Sequence, residues 1–166
     1  MANLTGSGHL ARWHVERVRL DVVPTRTGDA LTPKRPATMS DVSRSDGLLP
    51  LQCVTSWPRP HVCVVHLAGE LDIATVPAVA RYLRDQTARR PTELVLDLGA
   101  VTLLSAVAVG LIVDAQHADR GINGRLRLTG VSDNRPVDRV LRLTGLRPLL
   151  DIHDDLQTLL DSIPPH

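Results

Sequence analysis

Side chains able to do chemistry are thinly spread along this sequence. Seven histidines stand at positions 9, 14, 61, 66, 117, 153 and 166, and none forms the i, i+4 pair that sets two imidazoles on one helix face around a metal. Cys53 and Cys63 are the only cysteines; they lack C-x-x-C spacing and have no histidines at zinc-ligand intervals. Two arrangements fit them: partners facing each other across a hairpin that turns between Ser56 and Pro60, or buried free thiols in a reducing compartment. There is no Gly-x-Ser-x-Gly elbow, no Walker-type phosphate loop and no Gly-x-Gly-x-x-Gly after a strand. The expectation is a protein without catalysis, cofactor or metal.

What remains is a small set of polar residues beside the ends of elements. Ser105 opens a helical stretch, where free N–H groups and roughly half a positive charge gather. Such a place favours an N-cap, which stabilises a helix by about 0.5–2 kcal/mol, and it also favours a phosphate. Ser105 is therefore both a capping residue and a candidate phosphorylation site. Asp72 lies in the segment leading into another helix. Asp114 and His117, with Arg120, fall at helical spacing on the polar side of the stretch from Ala106 to Ala118, as a solvated face or as the rim of an interaction surface.

The elements that must position these residues can be read from periodicity. From Met1 to residue 46 the chain is rich in Thr, Ser, Pro, Gly and Arg without a sustained apolar period, and reads as a disordered extension. Trp13 to Val23 alternates for a few residues, enough for a short strand, and Met39 is an alternative start. A domain is expected over 47–163. It begins with strands at Leu51 to Ser56 and His61 to Leu67, joined by a turn at Pro58 and Pro60. Thr75 caps a helix with Val76 and Pro77 in its first turn, Val76, Val79, Ala80 and Leu83 inward, and Arg81, Arg84 and Asp85 in water. Glu93 to Leu98 is a strand, followed after a short connection by Val101 to Leu104 and the central helix. That helix is apolar on every side from Ala106 to Val113, which predicts burial against a sheet and against neighbouring helices. After a stop at Gly121 come a strand at Arg125 to Thr129 and a helix from Arg135 to Thr144 with Val137, Val140 and Leu141 inward and Gly145 as its cap. A short apolar stretch from Leu149 to Ile152 precedes a last helix, capped by Asp154, that gathers Leu156, Leu159 and Leu160.

The order β-β-α-β-α-β-α-β-α specifies an α/β fold: a four- to five-stranded mixed sheet with about four helices, parallel pairs and an antiparallel edge from the opening hairpin. Function in such sheets gathers at the carboxyl ends of the strands, here the loops Ala68–Ala74 and Thr102–Ser105. A net charge of +1, no Phe, and only Trp13, Trp57 and Tyr82 as large aromatics supply neither the field nor the stacking platforms of a nucleic-acid binder. No run reaches the roughly 18–20 apolar residues that span a bilayer, and the N-terminus lacks the order of a signal peptide. A cytoplasmic protein without membrane insertion, monomeric or weakly dimeric, is expected.

The run Val65-His66-Leu67-Ala68-Gly69-Glu70-Leu71-Asp72, followed by the helix at Thr75, resembles the Gly-Glu-Leu-Asp entry of STAS domains in bacterial anti-sigma-factor antagonists. Leu96-Asp97-Leu98, the helix after Ser105, and Val140-Leu141-Arg142-Leu143-Thr144-Gly145-Leu146 match later landmarks of that family in order and spacing, over roughly 100 residues. The resemblance implies a non-catalytic partner-switching module in stress response and transcription regulation. Such a module binds an anti-sigma factor or serine kinase and frees a sigma subunit until the kinase phosphorylates it. A STAS subunit of a transport or stress-sensing complex is the alternative. It also implies partner contacts at Asp72, at Ser105, Ala106 and Val107, and along the central helix at Asp114 and His117. The family's Asp-Ser-Ser/Thr-Gly modification motif is replaced here by Ser105-Ala106-Val107-Ala108. A methyl group has no nucleophilic oxygen, so Ala106 cannot accept a phosphoryl group. Ala108 in place of the motif's glycine is expected to reduce the room for a partner's backbone.

Overall fold

Apolar alternation carries the chain through a longer hairpin than the sequence predicts. The computed structural model describes residues 14–19, 51–120 and 124–164. Strand β1 is His14–Arg19, β2 is Gln52–Arg59 and β3 is Val62–Leu71, so the predicted turn shrinks to Pro60 and His61. Pro58 sits inside β2 because the register with β3 shifts between Ser56 and Arg59; an irregularity tolerates the missing N–H that a regular ladder would need. Cys53 lies opposite Leu67, so the two cysteines do not face each other across the hairpin, and both are buried outside any disulfide. Burial pushes the Cys53 thiol up to about 12, which keeps it protonated and unreactive.

The remaining elements are α1 Val76–Thr87, β4 Glu93–Leu104, α2 Ala106–Arg120, β5 Arg125–Thr129, α3 Arg135–Leu143, a 3₁₀ turn at Arg147–Leu149 and α4 Leu156–Ser162. The sheet runs β1-β2-β3-β4-β5, with β1–β2 and β2–β3 antiparallel and β3–β4 and β4–β5 parallel. This is the expected α/β mixed sheet with four helices. β1 realises the alternation that begins near Trp13, pairing His14 with Trp57 and Arg19 with Gln52. The rest of the segment read as an extension, and the stop at Gly121, lie outside the described residues.

Side-chain alternation divides the core between the two faces of the sheet. On one face Cys63, Val65 and Leu67 of β3 and Leu94, Leu96 and Leu98 of β4 pack with Val79 and Leu83 of α1, Ala108, Val109 and Ile112 of α2, and Val137 and Leu141 of α3. On the other, Val62, Val64 and Val95 are covered by Leu159 and Leu160 of α4 and by Ile163. Helix α1 turns Tyr82 and Gln86 inward as well, the tyrosine hydroxyl sharing a 2.6 Å hydrogen bond with Thr55. Two further readings shift. The stretch from Leu149 to Ile152 supplies the last residue of the 3₁₀ turn and a single parallel bridge from Ile152 to Leu128 rather than a strand. Helix α4 is capped by Asp155, which accepts from Thr158 N at 2.7 Å, while Asp154 accepts from the Ser132 hydroxyl at 2.6 Å.

Candidate functional site

Strand β4 is one unbroken strand where the sequence suggests two pieces, because two register shifts against β3, between His66 and Ala68 and between Gly69 and Glu70, absorb extra β4 residues. Bulges of this kind bend a strand and re-aim its far end. The first is held on both sides. Asp97 accepts from His66 Nδ1 at 2.8 Å and from Gly99 N at 3.0 Å, and the hydrogen bond from His66 is the main cause holding its carboxyl below the ordinary range. From α3, the buried Asn134 amide donates to the carbonyls of Leu98 at 2.8 Å and Val101 at 2.7 Å. Ser56 Oγ lies 3.4 Å from His66 Nε2, but Ser56 is only 4% exposed and offers no accessible nucleophile.

Beyond the bulges, β3 and β4 end side by side with Leu71 opposite Leu104. Ser105 N donates to Leu71 O at 2.9 Å, so the segments just past the two strands, Asp72 to Thr75 and Ser105 with the start of α2, emerge together. The loops are shorter than expected, because strand pairing continues to Leu71 and Leu104. Asp72 rather than Thr75 organises the entry to α1: its Oδ1 accepts from Ala74 N and Thr75 N, both at 2.9 Å. The Thr75 hydroxyl points back, donating to Glu70 O and accepting from Asp72 N, both at 2.9 Å. Hydrogen bonding from the Thr75 backbone, above all, holds the Asp72 carboxyl below the ordinary range, so it carries its charge at neutral pH. Ser105 Oγ accepts from Ala108 N at 3.3 Å, the bond of an N-cap.

Helix α2 is not buried on every side. Ala106, Val107, Gly110, Asp114 and His117 are exposed, whereas Ala108, Val109 and Ile112 are buried. The last three face the sheet; the first two turns look apolar all round because their outer face is apolar too. Ala108 is fully buried, so it lies out of a partner's reach, and the expectation of lost room there is overturned. Three of the five large hydrophobic side chains exposed among the described residues, Ile73, Leu103 and Val107, belong to this end of the sheet. The structure thus brings Asp72, Ser105, Ala106 and Val107 together. It sets Asp114 and His117 on the same exposed line of α2, about 10 and 15 Å further along at 1.5 Å per residue. Ile73, Leu103 and Gly110 are additions that sequence reasoning missed, since a Leu in an apolar strand run carries no mark of exposure. Among the described residues no group of three or more His, Cys, Asp or Glu side chains is placed to hold a metal ion, and no helix is long and apolar enough to cross a membrane.

The model of the STAS domain family matches residues 58–159, more than half of the chain. The chain belongs to the STAS domain family. Its relatives include an anti-sigma-B factor antagonist of Staphylococcus aureus, 28% identical over 90 residues that make up 54% of this chain and 82% of that one. The anti-sigma-B factor antagonist of Listeria monocytogenes is 30% identical over 88 residues, 53% of this chain and 75% of that one. Among solved structures, an anti-sigma factor antagonist from Mycobacterium paratuberculosis superposes with a TM-score of 0.60 at 24% identity, covering 74% of this chain and 98% of the other. At that identity the likeness speaks for the fold of this STAS domain.

Proposed function

We propose that this STAS domain is an anti-sigma factor antagonist: a non-catalytic module that binds an anti-sigma factor or serine kinase and so regulates sigma-dependent transcription, without the serine switch at the usual position. The observation that carries this reading is the exposed apolar patch of Ile73, Leu103 and Val107 around the charged Asp72 turn and the Ser105 cap. Large apolar side chains left exposed together at one end of the sheet and set among polar groups mark a protein-binding site more readily than a solvated loop end, and the curated relatives are named as antagonists of an anti-sigma factor. Ala106 stands exposed where the family carries its phosphoacceptor. Ser105 Oγ is already engaged in capping α2, so capture of the partner persists irrespective of the kinase.

The test is calorimetric titration of the full chain against each purified anti-sigma factor of the source organism, with Asp72→Ala as a control. Binding to at least one, weakened by the substitution, is expected; failure to bind any removes the proposal. Incubation of the same pair with ATP should leave residues 100–110 unmodified by mass spectrometry. Phosphate on Ser105 would replace constitutive capture with a shifted phosphoswitch.

A further inference from the structure

Val107, Gly110, Asp114 and His117 fall at i, i+3, i+7 and i+10 along α2 and are all exposed, which makes one continuous line on its outer face. A glycine inside a helix is disfavoured relative to alanine, since its backbone loses more freedom on folding. The protein's own packing gives no reason for it here: a Cβ at Gly110 would meet nothing within 4 Å. Gly130 is the opposite case, where a Cβ would strike the Gly99 backbone at 2.4 Å. Gly110 is therefore spare space on the outer face, one turn beyond exposed Val107, on a helix whose start lies beside Ile73 and Leu103. Carboxylates stand toward both ends of this surface, Asp72 at the strand ends and Asp114 one turn further along α2.

Resting on the reading of this surface as the seat of an anti-sigma factor, we propose that Gly110 is the point of closest approach for the partner's main chain and so a specificity-determining residue. The segment that docks there is apolar along the stretch that covers Val107 and Gly110 and basic toward its ends, where Asp72 and Asp114 stand. Its backbone comes near enough to α2 that a side chain at position 110 would stand in its way. The helix keeps its glycine for the partner, against its own propensity.

The experiment uses Gly110→Ala and Gly110→Leu in the full chain, read by thermal unfolding alone and by titration with the anti-sigma factor that binds the unsubstituted protein. Gly110→Ala should raise Tm of the free protein by about 4 °C, the helix-propensity gain of a domain of this size, while weakening binding at least threefold. Gly110→Leu separates close approach from simple apolar contact, because extra apolar area would tighten a merely greasy interface. Close approach requires at least a tenfold loss. Unchanged or tighter binding by Gly110→Leu, with Val107→Asp abolishing binding, would overturn this role for Gly110 and leave the antagonist reading standing. A fall in Tm on Gly110→Ala would overturn it too, by showing that the fold itself needs the glycine. If the unsubstituted protein binds no anti-sigma factor, the antagonist reading has failed, and the proposal resting on it falls with it.

Discussion

Asn134 ties the first bulge of β4 to the start of α3, and replacing it tests how the site is aimed. Its amide nitrogen donates to the buried Leu98 and Val101 carbonyls at 2.8 and 2.7 Å, and its Oδ1 accepts from Val137 N at 3.3 Å as the N-cap of α3. Asn134→Ala loses a cap, about 1 kcal/mol, and leaves two buried carbonyls short of a donor at about 1 kcal/mol each. The expected loss is about 3 kcal/mol, or a Tm lower by about 10 °C for a domain of this size. Asn134→Asp divides the sum, because it keeps the capping oxygen but turns a second oxygen toward the two carbonyls. If bridging the bulge dominates, the aspartate variant is at least as unstable as the alanine variant in urea unfolding. Partner binding should weaken in both, since Val101 to Leu104 lead directly to Ser105. An aspartate variant within about 0.5 kcal/mol of the unsubstituted protein, the range of an ordinary surface substitution, would refute the bridge and leave Asn134 a simple cap.

Asp72→Asn should keep most of the turn, having an oxygen for Ala74 N and Thr75 N, whereas Asp72→Ala should lose about 1–2 kcal/mol of stability by urea titration. A weaker complex with Asp72→Asn at unchanged stability would show that the partner reads the charge. Gly130→Ala combines a φ of +69° with a Cβ 2.4 Å from Gly99 N and should destabilise by about 3 kcal/mol or more. Gly145→Ala, with φ +70° and open space, should cost only about 1 kcal/mol; equal losses in the two unfolding curves would dismiss the contact with Gly99. Acid should also destabilise. The carboxyls of Asp72, Asp97 and Asp138 are all held low by hydrogen bonding, from the Thr75 backbone, from His66, and from Arg142 and Arg147 respectively. Each such group contributes stability above the unfolded carboxylate value of about 3.9, lost as pH falls through its lower folded value. The urea midpoint should be steady above about pH 5 and drop below about pH 4, and Asp97→Asn should lessen the drop.

Much of the fold was legible because it is written in short-range pattern. The period of Val79 and Leu83, the strand runs Val62 to Leu67 and Leu94 to Leu98, and the placement of Ser105 at a helix start all depend on neighbours a few residues away. The landmarks around Asp72 and Asp97 carried the family for the same reason. Errors arose where a side chain's fate depends on a distant segment. Thr75 stands at the N-cap position of α1 as read, yet its hydroxyl makes no capping bond and turns back to Glu70 O, leaving Asp72 to order the turn before the helix. Leu149 to Ile152 reads as a strand, yet β5 offers it only one bridge, at Leu128.

Two identical Leu-Thr-Gly triplets show where the division lies. Leu128-Thr129-Gly130 and Leu143-Thr144-Gly145 each end in a glycine with positive φ, a conformation that glycine adopts without strain. Only the tertiary structure decides that Gly130 is pressed against Gly99 while Gly145 faces open space. Likewise the sequence by itself determined the mixed sheet and the loss of an acceptor oxygen at Ala106, while the pairing of Leu71 with Leu104 came from the tertiary structure. The sequence could not determine which apolar face of α2 meets the sheet, for Ala108, Val109 and Ile112 resemble Ala106 and Val107 in type. Packing across segments tens of residues apart sets that rotation, and with it the exposed line of Val107 and Gly110 that a partner can reach.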